Sequence, residues 1–114
     1  MLIPVLRAKI HRARVTDSNL NYEGSIAICP DLLAAAGVRV HEQVQVVNLN
    51  NGERFETYVI KGRPQEISLN GPAARLGLTG DLVIILAWGY IDPANDPAIE
   101  PRIIKVDEHN RAKP

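Results

Sequence analysis

Gln43-Val44-Gln45-Val46-Val47-Asn48-Leu49-Asn50-Asn51-Gly52-Glu53-Arg54-Phe55-Glu56-Thr57-Tyr58-Val59-Ile60 reads as strand, turn and strand. Asparagine and glycine tolerate the positive φ angles that tight hairpins require. Asn50-Asn51-Gly52 therefore marks a reversal between a strand over Gln43 to Leu49 and a returning one over Arg54 to Ile60. Arg54 and Tyr58 lie four apart on the returning strand and share a face. The same texture, short runs rich in valine and isoleucine separated by glycine, asparagine and proline, recurs along the chain and favours strands over helices. Further strands are expected over Pro4 to Ile10, Arg12 to Thr16, Ile26 to Ile28, Glu66 to Leu69, Asp81 to Trp88 and Arg102 to Val106. The fold class is mainly β. A helix is expected over Pro30 to Ala36, with an early proline, an aspartate in the first turn and Gly37 as a stop, and a short helical turn around Pro72 to Leu76. Asp92 to Pro101, with Pro93, Pro97 and Pro101, reads as an ordered loop, and Glu108 to Pro114 as a polar tail that frays.

A weak internal echo supports a barrel. Ala34-Ala35 leading to Glu42-Gln43-Val44-Gln45-Val46 resembles Ala73-Ala74 leading to Asp81-Leu82-Val83-Ile84-Ile85 at a constant offset. Two related halves would produce this pattern, and closure would remove exposed sheet edges. At 114 residues the chain is one domain that buries roughly two-thirds of its unfolded surface. Thirteen basic and thirteen acidic residues leave no net charge, which argues against nucleic acid and anionic membranes as partners. Cys29 is the single cysteine, so no intrachain disulfide forms, and we read it as buried filler. With no signal peptide and no membrane-spanning apolar run visible, a cytoplasmic protein is expected.

Tyr22-Glu23-Gly24-Ser25 places a hydroxyl within reach of the carbonyl of the glycine before it. Gly24 adds no side chain to obstruct the approach and can adopt backbone angles that other residues resist. The pair is a candidate self-cleavage site, against the simpler reading of Gly-Ser as a turn dipeptide.

Four blocks decide between those readings: Lys9-Ile10-His11-Arg12-Ala13-Arg14-Val15-Thr16, Asn21-Tyr22-Glu23-Gly24-Ser25, Asn51-Gly52-Glu53-Arg54-Phe55-Glu56-Thr57-Tyr58 and Asn70-Gly71-Pro72-Ala73-Ala74. In order and almost in register they resemble the L-aspartate 1-decarboxylases that carry a pyruvoyl group. The likeness runs from about Lys9 to Val106 and includes Gly80-Asp81-Leu82-Val83-Ile84-Ile85. It implies a small six-stranded double-psi β-barrel with short helices, in agreement with the β-rich pattern and the echo.

The resemblance also implies a chemistry. Ser25 attacks the Gly24 carbonyl, the amide becomes an ester through an oxyanion for which Thr57 is the expected donor, and elimination and hydrolysis leave a pyruvoyl group at position 25. The single domain 1–114 would then persist as two pieces, 1–24 and 25–114. The covalent pyruvoyl group, with no pyridoxal phosphate and no metal, forms a Schiff base with aspartate and accepts the electrons released on decarboxylation. Tyr58 matches the family's proton donor, and a phenol of ordinary pKa near 10 is protonated at neutral pH. Arg54 and Lys9 would hold substrate carboxylates. Asn70, Gly71, Pro72 and Ala73 match the segment lining the substrate site. A homotetramer with sites at subunit boundaries, which would let Arg54 and Tyr58 act on a neighbour's pyruvoyl group, and β-alanine as product, feeding pantothenate and coenzyme A synthesis, are implied by the family alone. A maturation factor is left open.

Two departures matter. The family's Asn-Gly-Ala-Ala stands here as Asn70-Gly71-Pro72-Ala73, and proline removes one backbone donor. The connection from Lys61 to Glu66 is shorter than usual and lacks a glycine-rich stretch. His11 is a candidate shaping residue, Tyr22 packs beside the loop, Trp88 packs at a strand end or subunit contact, and Asp17, Asp31, Glu42 and Asp81 read as turn or cap residues. His41 and His109 show no metal-ligand spacing. The competing classes are an uncleaved β-barrel binding module for peptide or nucleic acid, and a pyruvoyl decarboxylase acting on another small acidic amino acid.

Overall fold

The valine- and isoleucine-rich runs form eight strands in the computed structural model, which describes residues 1–114. These are β1 (Ile3–Arg14), β2 (Asp17–Asn19), β3 (Ser25–Ile28), β4 (Gln43–Asn48), β5 (Arg54–Lys61), β6 (Ile67–Asn70), β7 (Leu82–Ile91) and β8 (Arg102–Lys105). They pair in the order β2-β6-β3-β5-β4-β7-β1-β8. The chain is thus mainly β, but the sheet has eight strands rather than six and its ladder is open between β2 and β8. What curls it is chain continuity. β2 follows directly from β1, and between them the Thr16 N–H donates to the Ile67 carbonyl at 2.7 Å while the Thr16 hydroxyl accepts the Ile67 N–H at 3.0 Å. The chain at the end of β1 is thereby stitched to β6, near the opposite side of the ladder.

The two strands expected at Pro4 to Ile10 and Arg12 to Thr16 are one strand, β1. It bends at register shifts between Leu6 and Ala8 and between His11 and Ala13, and Arg12 adopts φ +70° at the second. A bulge absorbs an extra residue without ending the strand, which is why the polar His11-Arg12 pair only looked like a break. β2 was not anticipated, since Asp17-Ser18-Asn19 has turn composition; it exists because β6 offers it a parallel edge.

Helix α1 (Pro30–Ala36) has proline at its start and ends where Gly37 takes φ +69°, a left-handed angle that costs glycine little. Arg7 reaches this helix end, donating to the Gly37 carbonyl at 2.9 Å and pairing with Glu42. A 3-10 helix spans Gly71–Leu76. The echo noted in the sequence survives folding: α1 leads to β4, the 3-10 helix leads to β7, and β4 and β7 pair antiparallel. One core of 21 buried residues, including Ile10, Ile26, Ile28, Leu32, Val46, Leu69 and Ile85, fills the inside of the curled sheet. No helix is long and apolar enough to cross a membrane.

The C-terminal tail does not fray. Asn110 is buried and sits at φ +59°, where asparagine is tolerated better than most residues. Its side chain accepts the Arg14 N–H at 2.8 Å and donates to the Arg14 carbonyl at 2.9 Å and the Gln65 carbonyl at 3.0 Å. Asn110 thus pins the tail to the end of β1 and to the turn before β6. Asn110→Ala would leave these backbone groups unpaired, at about 1–3 kcal/mol each when fully buried. A loss of about 2–4 kcal/mol is expected, read as a melting temperature lower by roughly 10–20 °C. A shift within 2 °C would show that water replaces the side chain.

Candidate active site

Ser25 opens β3 and is buried, with 1% of its surface exposed. It stands opposite Asn70 in the antiparallel pairing of β3 with β6. The Ser25 hydroxyl donates to the Glu23 carbonyl at 3.0 Å and accepts the Asn70 side-chain amide at 3.1 Å. These two bonds fix the rotamer of the hydroxyl and leave one oxygen lone pair uncommitted. Nothing in the spacing of Asn70 and Ser25, 45 residues apart, announces this contact.

Gly24 does not use the conformational freedom expected of it, because its φ lies outside the left-handed region. Its lack of a side chain matters for space instead: a β-carbon there would sit 3.3 Å from Cδ of Pro72.

β3 runs parallel to β5, with Ile26 opposite Val59. That pair opens their ladder, so Thr57 and Tyr58 occupy the stretch of β5 that leads up to it, on the side of Gly24 and Ser25. Alternation along β5 then sends the two side chains to opposite faces. Thr57 shares the core face with Val59, and its hydroxyl makes no hydrogen bond within the chain, so it is free to donate. Tyr58 shares the outer face with Ser25 and is 38% exposed. On that face a cavity of about 320 Å³ opens beside Asn70, lined by Tyr22, Ala27, Ile60, Lys61 and Ser68 among others. The short turn from Lys61 to Glu66 forms part of its wall. Burial alone would raise the Glu66 carboxyl, but the Ser68 hydroxyl, the Arg63 N–H and the Arg63 charge outweigh it and hold the group below its ordinary value.

Arg54 also lies on the outer face, four residues before Tyr58, in a loose 3.5 Å contact with the Gln45 side chain. Lys9 occupies the same face of β1, opposite Leu86, which in turn stands opposite Gln45. Between β3 and β1 lie β5, β4 and β7, so Lys9 is about 19 Å of sheet away from Ser25 at the usual strand spacing. Within one chain Asn70 bonds Ser25, Gly71 and Pro72 lie against Gly24, and Thr57 and Tyr58 stand on the strand beside β3, whereas Arg54 lies four residues up β5 from Tyr58 and Lys9 four strands along the ladder from Ser25. Ala73 is buried within the 3-10 helix.

His11, on the face of Lys9, has a buried Nδ1 without a partner. Burial, then the charges of Lys9, Arg12 and Lys105, hold its imidazole below the ordinary value, so it is neutral at pH 7. Trp88 and Tyr90 on β7 are 43% and 69% exposed, and with Leu6 and Pro4, which stand opposite them on β1, they make the neighbouring outer surface apolar. Asp81 caps a turn by accepting the Leu78 N–H, and Glu42 accepts that of Arg39. Cys29 is buried, and burial pushes its thiol up, as suits inert filler.

A family described as aspartate decarboxylase matches residues 1–113. A protein of Caldicellulosiruptor saccharolyticus named aspartate 1-decarboxylase is 55% identical over 113 residues, covering 97% of this chain and 88% of its own. One of the same name from Leptospira biflexa is 50% identical over 116 residues, covering 99% and 98%.

Proposed function

Because the chain belongs to the aspartate decarboxylase family, we propose that it converts L-aspartate to β-alanine and carbon dioxide, using a pyruvoyl group made from its own Ser25. The observation that carries the reading is the buried Ser25 hydroxyl, fixed between Glu23 and Asn70 at the junction with Gly24. In the cleavage the Ser25 oxygen bonds to the Gly24 carbonyl carbon, the bond to the residue-25 nitrogen breaks, and the hydroxyl proton passes to that nitrogen. Thr57, with an uncommitted hydroxyl on the side of Gly24, donates to the oxyanion. Elimination frees the Gly24 carboxylate, and water converts the remaining residue to a ketone with release of ammonia. The surroundings suit that group: Asn70 already points a donor at this position, and Tyr58 faces it from the neighbouring strand.

The ketone supplies an electron sink for loss of the α-carboxylate once it has condensed with the substrate amine. Tyr58 returns a proton to the former α-carbon. Asn70 orients the bound group, and Arg54 grips a carboxylate. Lys9 stands four strands along the ladder from Ser25, which favours a site completed by a second copy in a homotetramer; the apolar surface around Trp88 and Tyr90 is suited to such a contact.

Intact mass under denaturing conditions tests the reading. The expected result is a fragment ending at Gly24 and a larger one lighter by one ammonia than simple hydrolysis gives, from a sample that turns aspartate into β-alanine and scatters light as four chains. A chain that stays intact on prolonged warming and forms no β-alanine would overturn it, and a monomer mass would remove Lys9 from the site.

A further inference from the structure

Resting on the self-cleavage reading above, we infer that Gly71 and Pro72 are positioning residues for the cleavage, forming a wall that holds Gly24 against Ser25. The turn after β6 carries three consecutive residues onto the segment to be cut. Asn70 bonds the Ser25 hydroxyl at 3.1 Å. Gly71, at φ +64°, presses backbone on backbone: a β-carbon there would lie 2.7 Å from both the nitrogen and the Cα of Gly24 and 3.0 Å from the Tyr22 carbonyl oxygen. Separations below 3.0 Å are essentially never adopted by real β-carbons, so position 71 requires glycine for its angle and its space alike. Pro72 then closes the side of Gly24 where a β-carbon would project.

The reacting bond needs no outside reactant in its first step, since one C–O bond forms, one C–N bond breaks and one proton moves between the two atoms involved. Its rate depends on how long the Ser25 oxygen and the Gly24 carbonyl carbon remain in the approach geometry. A strand partner fixes Ser25, but nothing in β3 fixes the peptide before it, because the ladder begins at Ser25. Gly71 and Pro72 supply that restraint. The pyrrolidine ring is a rigid wall, unable to swing aside as a flexible side chain would.

A double-mutant cycle on the freshly made precursor tests this, with release of the 1–24 fragment timed by denaturing mass spectrometry and melting temperatures recorded in parallel. Pro72→Ala alone slows cleavage by several-fold, because Gly24 gains room. Gly24→Ala slows it by about tenfold or more, since its methyl meets the proline ring. In the Gly24→Ala background, Pro72→Ala has the opposite sign and restores part of the lost rate. A purely structural role would lower the rate in both backgrounds alike. Pro72 is exposed, so its variant tests the wall even if a Gly71→Ala chain does not fold. Cleavage of the Gly24→Ala chain at the parental rate, or no recovery in the double variant, overturns the wall while the parental chain still cleaves. A parental chain that never cleaves overturns the self-cleavage reading instead.

Discussion

Ser25→Ala leaves one uncut chain and no β-alanine production, however long the protein is warmed. In the proposed chemistry the Ser25 oxygen replaces the residue-25 nitrogen on the Gly24 carbonyl carbon, so its removal eliminates both the ester and the ketone that follows from it. The fold survives, because the side chain lost is small and β3 keeps its pairings with β5 and β6. The cost is the Asn70 amide, which loses its acceptor in a buried place, about 1–2 kcal/mol. A melting temperature within roughly 10 °C of the uncut parent, together with a single mass, is the expected outcome. Fragments ending at Gly24 from the alanine chain would mean that something other than Ser25 cuts, and the proposed chemistry would fall.

Tyr58→Phe and Thr57→Val should separate two activities that one strand carries on its two faces. Tyr58 points outward with Ser25 and Thr57 inward with Val59, so the first is placed for the substrate and the second for the Gly24 carbonyl. Tyr58→Phe is expected to yield normal fragments but a kcat lower by about 10²–10⁴, with KM little changed, as for loss of a general acid. Thr57→Val, close in shape, is expected to slow fragment release by about 10²–10³, the usual effect of deleting an oxyanion donor. Both variants keep the pairing of β4 with β5, because the ladder there is backbone. Measuring release rate and kcat on the same preparations decides it. A Tyr58→Phe enzyme at full kcat, or a Thr57→Val chain cut at the parental rate, would break the division of labour.

Where the sequence misled, the reason is tertiary. The Asn50-Asn51-Gly52 reversal was legible because its chemistry is local: those residues accept angles that others do not. Helix α1 was legible for the same reason, from Pro30, Asp31 and Gly37. β2 was invisible because Asp17-Ser18-Asn19 has no strand propensity of its own and pairs only because β6 lies alongside. The supposed break at His11-Arg12 is a bulge, stabilised by partners on both sides of β1. A terminal run of polar residues looks loose in sequence, and Asn110 becomes an anchor only when Arg14 and Gln65, far away along the chain, present it with unpaired backbone groups.

By itself the sequence determined the β class, the hairpin, the helix after Cys29 and, through four short blocks matching a known family, the residues to suspect. Those depend on local angles and on residue identity, which a linear string carries. Only the tertiary structure decided that the ladder stays open at eight strands, that β6 and β5 flank the strand opened by Ser25, and that Lys9 lies four strands along the ladder. It likewise decided that Gly24 is small because Pro72 stands where its β-carbon would project, rather than because of its own angles. Such facts arise from strands paired at long range, where register sets which side chains meet, and no spacing along the chain encodes that register.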